Sequence, residues 1–196
     1  MENQFNNYIK KLTTALSEDV MLQVSELGCA LLEAWRTRQN VYLCGNGGSA
    51  ANAVHLANDL IYGAGINNGI GLRAEALSAN TAVMTCLAND LGYENIYAEQ
   101  IRVKGNFGDI LMVFSGSGNS PNVVKAIKEA NRIGMKTFAI VGFSGGQCKH
   151  IAQYHIHFNI DDMQIAEDLQ LVVGHICIRW LQNHTSNFDY INSNDV

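Results

Sequence analysis

His55 and Asp59 stand four positions apart in a stretch of helical pattern, residues 49–62. That spacing puts an imidazole and a carboxylate on one helix face, about 6 Å apart along the axis. Such a pair can ligate a divalent cation or act as acid and base; on a solvated face it is an ordinary ion pair. Its position just behind a glycine-rich turn favours the chemical use. A second polar set, Glu167, Asp168, Gln170 and His175, interrupts the otherwise apolar run of residues 163–182. Polar groups on so apolar a helix need partners when buried, because an unpaired charge there is too costly. Glu167 and His175 are eight apart, about 12 Å along an ideal helix, so a shared target would have to lie between side chains leaning towards each other.

Two loops carry the remaining chemistry. Gly45-Asn46-Gly47-Gly48-Ser49-Ala50 follows the apolar run Val41–Cys44, and Ser115-Gly116-Ser117-Gly118-Asn119-Ser120-Pro121 follows Ile110–Phe114. Each joins an apparent buried strand to a helix. In the second, Ser120 is placed to cap the helix and Pro121 suits its first position. Glycines that admit a ligand, amides at a helix start and three hydroxyls make a phosphate cradle without a lysine. The first loop also fits the dinucleotide pattern G-x-G-x-x-A. The acid expected about 20 residues later is not evident there, and no Gly-Lys-Ser/Thr occurs, so a small phosphorylated metabolite remains and no nucleotide cofactor is expected. Asn89-Asp90, at the end of another helical stretch, reads equally as a polyol-binding pair or a turn. His155 and His157 flank Ile156 and read as the outer coat of an edge strand.

The elements that must position these groups alternate. Two helices over residues 5–37 precede strands at Val41–Cys44, Leu72–Leu77 (weak), Ile110–Phe114, Thr137–Val141 and Tyr154–Phe158. Helical stretches fall at 49–62, 80–88, 94–104, 121–133 and 163–182. Alternation of this kind predicts an α/β fold, a parallel sheet covered on both faces, with ligands beyond the strand C-termini.

The chain has 196 residues, 47% hydrophobic and 16% charged, which predicts one domain: a helical extension over about 3–37, a sheet core over about 40–182 and a polar tail at 184–196. A net charge of −5 argues against broad phosphate neutralisation, hence no nucleic acid. No basic leader and no 18-residue apolar run is present, so neither secretion nor a membrane is expected. Five widely spaced cysteines read as reduced core residues, and the expected location is cytoplasmic. Of 18 glycines, 12 fall in four clusters, at 45–48, 63–71, 116–118 and 142–146.

Four segments together, CGNGGSAANAVHLANDL, LANDLGYENIYAEQI, GDILMVFSGSGNSPNVVKAIKEANRIGM and EDLQLVVGH, resemble the sugar isomerase (SIS) domain family, in its phosphoheptose isomerase branch. The resemblance covers residues 5–182 or so. It implies a flavodoxin-like SIS fold, a homotetramer with active sites near subunit interfaces, and conversion of sedoheptulose 7-phosphate to a heptose 7-phosphate for surface polysaccharide synthesis, often with zinc. It further implies that Ser115, Gly116, Ser117 and Ser120 hold the phosphate and that Asn46, Gly47, Gly48 and Ser49, with Asn89 and Asp90, line the site. His55, Asp59, Glu167 and His175 would be the metal ligands, and Asp59, Glu167 and His175 the catalytic groups. Asp59 stands where the family has glutamate, Glu167 where it has glutamine, and a family arginine is missing from residues 61–65. Either carboxylate can be the base. Those departures keep open a non-catalytic SIS module, a phosphosugar-binding or replication-initiator-binding scaffold.

Overall fold

The computed structural model describes residues 1–66 and 70–184; the expected polar tail beyond 184 lies outside the described residues. Helices α1 (Glu2–Ala15) and α2 (Glu18–Thr37) lead into β1 (Asn40–Cys44), α3 (Gly48–Asn58), β2 (Arg73–Ala76), α4 (Thr81–Leu91) and α5 (Ile96–Lys104). Then follow β3 (Ile110–Ser115), α6 (Pro121–Ile133), β4 (Lys136–Val141), α7 (Gly146–Ile151), β5 (Tyr154–His157) and α8 (Met163–His184). The five strands form one parallel sheet in the order β2-β1-β3-β4-β5.

Period-two alternation divides each central strand between two layers. Val41, Leu43, Ile110, Met112, Phe114, Phe138 and Ile140 face the layer of α2, α3 and α8; Tyr42, Cys44, Leu111, Val113, Ala139 and Val141 face that of α5 and α6. Both faces are apolar because both are covered, which is why these strands read as continuous hydrophobic runs. Ser17 caps α2 by accepting from the Val20 amide, and Gly134 (φ 88°) ends α6 in the left-handed region.

This strand order has its switch point between β1 and β3, where successive connections leave in opposite directions. Val41 pairs with Ile110 and Cys44 with Val113, so the two strands end side by side and release their loops together.

Three expectations need correction. Cys29 and Cys86 are exposed, so only Cys44, Cys148 and Cys177 are core residues. Helix 49–62 stops at Asn58 and continues as a π-helical turn, Asp59–Gly63. A short helix, α7, occupies a stretch for which no element was expected; six residues containing Gln147, Lys149 and His150 are too few and too polar to show a period. His155 and His157 do lie on the edge strand β5, where His157 Nε2 donates to the Phe143 carbonyl (2.8 Å). No helix among the described residues is long and apolar enough to cross a membrane.

Candidate active site

A cleft of about 270 Å³ opens at the switch point, lined by Asn46, Gly47, Gly48 and Ser49 on one side and Phe114, Ser115, Gly116, Ser117 and Ser120 on the other, with Met163 and Glu167 from α8. The serine loop is braced from within. Ser115 Oγ accepts from the Gly118 amide (3.0 Å) and Ser117 Oγ from the Asn119 amide (3.3 Å). It is also tied to the next loop, since the Cys148 amide donates to Gly118 O and the Gln147 amide to Asn119 Oδ1. Ser120 occupies the N-cap of α6 but its side chain makes no capping bond; Asn122 Oδ1 accepts from the Val123 amide instead. Among the described residues, Ser120's hydroxyl thus makes no capping bond and lines the cleft.

The glycine loop is held from below. Tyr97, buried in α5, donates its hydroxyl to the Gly45 carbonyl. Asn46 forms a reciprocal amide pair with Asn122, at 2.9 and 2.7 Å, and also accepts from the Tyr93 hydroxyl at 3.0 Å. Gly48 has a specific reason to be glycine: a Cβ there would lie 2.4 Å from Glu167 Oε2. The carboxylate of Glu167 thus rests directly against the first turn of α3, whose aligned amides favour negative charge.

Helices α3 and α8 run in the same direction in a regular ladder. Glu167 meets Gly48; Asn52 Nδ2 donates to Glu167 O (2.9 Å) and to Gln170 Oε1 (3.0 Å); Gly174 packs on Leu56; and His175 reaches His55. At the far end of this ladder, His55 Nε2 lies 3.0 Å from His175 Nε2, and Asp59 Oδ2 lies 3.4 and 3.5 Å from the two imidazoles. All three ligand atoms fall within 4.8 Å of one another. Zinc–ligand bonds of about 2.0–2.1 Å imply tetrahedral ligand–ligand separations of about 3.3 Å. The observed triangle has those edges, and two imidazoles with a carboxylate suit zinc chemically, so the residues present fit such an ion.

The structure therefore sorts the sequence-predicted residues into two groups at the two ends of the α3–α8 ladder. Asn46, Gly47, Gly48, Ser49, Ser115, Gly116, Ser117, Ser120 and Glu167 line the cleft, whereas His55, Asp59 and His175 form the triangle. Asn89 and Asp90 line neither; they bond to each other through Asn89 Nδ2 and Asp90 Oδ1 (2.7 Å) at the end of α4. Sequence reasoning did not find Tyr93, Tyr97, Asn122 or Met163. The i,i+4 spacing of the two tyrosines was a weak signal, and an asparagine at the second position of α6 gave none.

The SIS domain family model matches residues 4–142. The chain belongs to the SIS domain family. Within it, the phosphoheptose isomerase of Helicobacter pylori (strain P12) is 36% identical over 154 residues, 79% of this chain and 80% of that protein. That of Akkermansia muciniphila is 38% identical over 136 residues, 69% and 71% of the two chains. The chain is thereby a member of the phosphoheptose isomerase branch. Solved structures agree on the fold. A phosphoheptose isomerase from Francisella tularensis superposes with a TM-score of 0.87 at 24% identity, covering 93% of this chain and 96% of the other. One from Neisseria gonorrhoeae gives 0.83 at 26%, with the same coverage.

Proposed function

We infer that the protein is a sugar-phosphate isomerase that interconverts sedoheptulose 7-phosphate and D-glycero-D-manno-heptose 7-phosphate in the cytoplasm, feeding surface polysaccharide synthesis. The observation that carries this reading is the two-part site along the α3–α8 ladder: a hydroxyl-lined cleft at one end and the His55–Asp59–His175 triangle at the other. From Gly48 to His55 the helix rises about 10 Å. An extended seven-carbon chain spans about the same distance from its carbonyl end to its phosphorus, taking about 1.5 Å per carbon–carbon bond. Phosphate in the serine loop then leaves C1 and C2 near the triangle, with Glu167 beside Gly48 at the phosphate end.

Isomerisation moves a proton between adjacent carbons through an enediol. A carboxylate takes the proton from C1 while the C2 carbonyl oxygen receives one from an imidazole. The carboxylic acid so formed returns its proton to C2, and O1–H gives its proton back to the imidazole, leaving an aldose. Asp59 is the favoured base because it stands at the triangle where C1 and C2 fall, whereas Glu167 rests on Gly48 at the phosphate end. His175 is the proton donor, oriented by His55 across 3.0 Å. His55, Asp59 and His175 would hold zinc. Bound zinc would polarise the substrate carbonyl as a Lewis acid.

A homotetramer of single-domain subunits fits the incompletely covered apolar stripe of α1 and its neighbours, where Phe5 is 64% and Leu22 69% exposed. The decisive experiment incubates the protein with a panel of ketose phosphates, with and without zinc or chelator, and assays aldose product. Conversion of the C7 ketose in preference to C5 and C6 is expected. No conversion of any member would replace the isomerase with a phosphosugar-binding module.

A further inference from the structure

Asn46 lies at the cleft and carries two amide donors and two acceptor lone pairs. Asn122 Nδ2 and the Tyr93 hydroxyl fill both lone pairs, and Asn122 Oδ1 takes one of the two hydrogens. Among the described residues, that leaves Asn46 one hydrogen to offer a ligand. It also fixes which way the amide faces. Rotating the carboxamide by half a turn would set its NH2 against two donors and its oxygen against the Asn122 oxygen. Asn122 is itself only 1% exposed and locked, its oxygen also accepting from the Val123 amide at 3.0 Å. It belongs to α6, behind the serine loop, whereas Asn46 belongs to the loop after β1. The pair is therefore a direct side-chain link between the two walls of the cleft.

We propose that Asn122, seconded by Tyr93, is a positioning residue that holds the Asn46 carboxamide with N–H towards the substrate and fixes the separation of the cleft's two loops. Asn122 touches no substrate; it acts through Asn46. Without it, the Asn46 amide is free to present oxygen to an oxygen-rich ligand, replacing an attraction by a repulsion. This rests on the sugar-phosphate reading above for the identity of the ligand, but not for the orientation of the amide.

The test is a double-mutant cycle on the full chain with Asn46→Ala, Asn122→Ala and the two combined, reading kcat, KM and the affinity for inorganic phosphate. Asn122→Asp accompanies it, keeping the volume and the Val123 acceptor while losing the donor to Asn46; it guards against an alanine variant that fails to fold. Each single substitution of Asn122 is expected to lower kcat/KM by about 10- to 100-fold, the scale of a misplacement near 1 Å. Phosphate affinity should stay within about threefold, because the serine loop is intact. The double variant should be no worse than Asn46→Ala alone. Losses that multiply, or a collapse of phosphate binding in step with turnover, would show a merely structural role and overturn the proposal. If the wild-type protein turns over no sugar phosphate, the isomerase reading fails. The amide assignment is then read in the free protein from hydrogen exchange of the Asn46 and Asn122 side-chain amides: slow exchange at both, with Asn46 accelerated in Asn122→Asp, sustains it, and exchange at the solvent rate overturns it.

Discussion

The Nε2 atoms of His55 and His175, residues 120 positions apart in the chain, lie 3.0 Å from each other. At that separation one ring donates and the other accepts, or both turn their lone pairs to a shared cation. Asp59 beside them makes the second arrangement favourable.

His175→Ala should therefore abolish turnover and zinc uptake together while inorganic phosphate still binds the serine loop. Isothermal calorimetry with zinc and with phosphate separates the two effects. Retained turnover would remove His175 from the reaction.

Gly48→Ala should cost activity rather than stability. The new Cβ would collide with the Glu167 carboxylate, the far end of a flexible side chain that can swing aside. A displaced Glu167 would intrude on the cleft and misplace the phosphate end, lowering kcat/KM by about 10- to 100-fold, with the melting temperature nearly unchanged. A normal kcat/KM would show that Glu167 need not rest on α3 for the cleft to work.

Gly174→Ala should do the opposite. Its Cβ would sit 2.2 Å from a Leu56 methyl, and Leu56 is buried, so α3 and α8 must part. Alanine gains about 1 kcal/mol in helix propensity, but overpacking costs about 1–3 kcal/mol; a net loss of about 1 kcal/mol is expected. Denaturant midpoints measure it, and zinc affinity should weaken in the same variant because the ladder carries His175 to His55.

Ser115, Ser117 and Ser120 differ in what their hydroxyls already do. Ser115 serves its own loop and Ser117 partly so, while Ser120 makes no capping bond. Ser120→Ala should weaken phosphate binding with little effect on the melting temperature, whereas Ser115→Ala should lower both. Equal behaviour of the two variants would contradict this division.

Stability should fall on mild acidification through His155. Burial, and then the nearby positive groups Lys149, His157 and His150, hold its pKa below the ordinary 6.5, with Glu26 opposing. The unfolded chain then binds the proton more readily, so this group's contribution is complete above about pH 6.5 and is lost as the pH falls towards the folded value. His155→Gln should flatten the melting temperature between pH 7 and 5 relative to wild type.

Most of the sheet was legible because burial on both faces writes a continuous apolar run into each central strand, as in Ile110–Phe114. The serine loop was legible for a local reason too: Gly, Ser and the lone proline sit within seven residues of one another. What was not legible depends on partners far along the chain. Glu167 and His175 read as candidates for one target, yet the ladder set by Gly174 against Leu56 sends one to the cleft and the other to the triangle. Asn122 looks like an ordinary early helix residue until Asn46 is placed opposite it. Asn89 and Asp90, read from the sequence equally as a polyol-binding pair or a turn and placed in the site by the resemblance, lie against neither part of the site within the described chain.

The α3–α8 ladder also orders events in time. During synthesis, β1, β3 and β4 with their loops and the bracing amides of Gln147 and Cys148 are all made by residue 148, while α8 is still to come. The imidazole pair closes only when the last helix docks, a contact of large sequence separation that forms late in folding. The reacting groups are therefore the last part of the site to be assembled, joined to a phosphate loop whose own parts were made first.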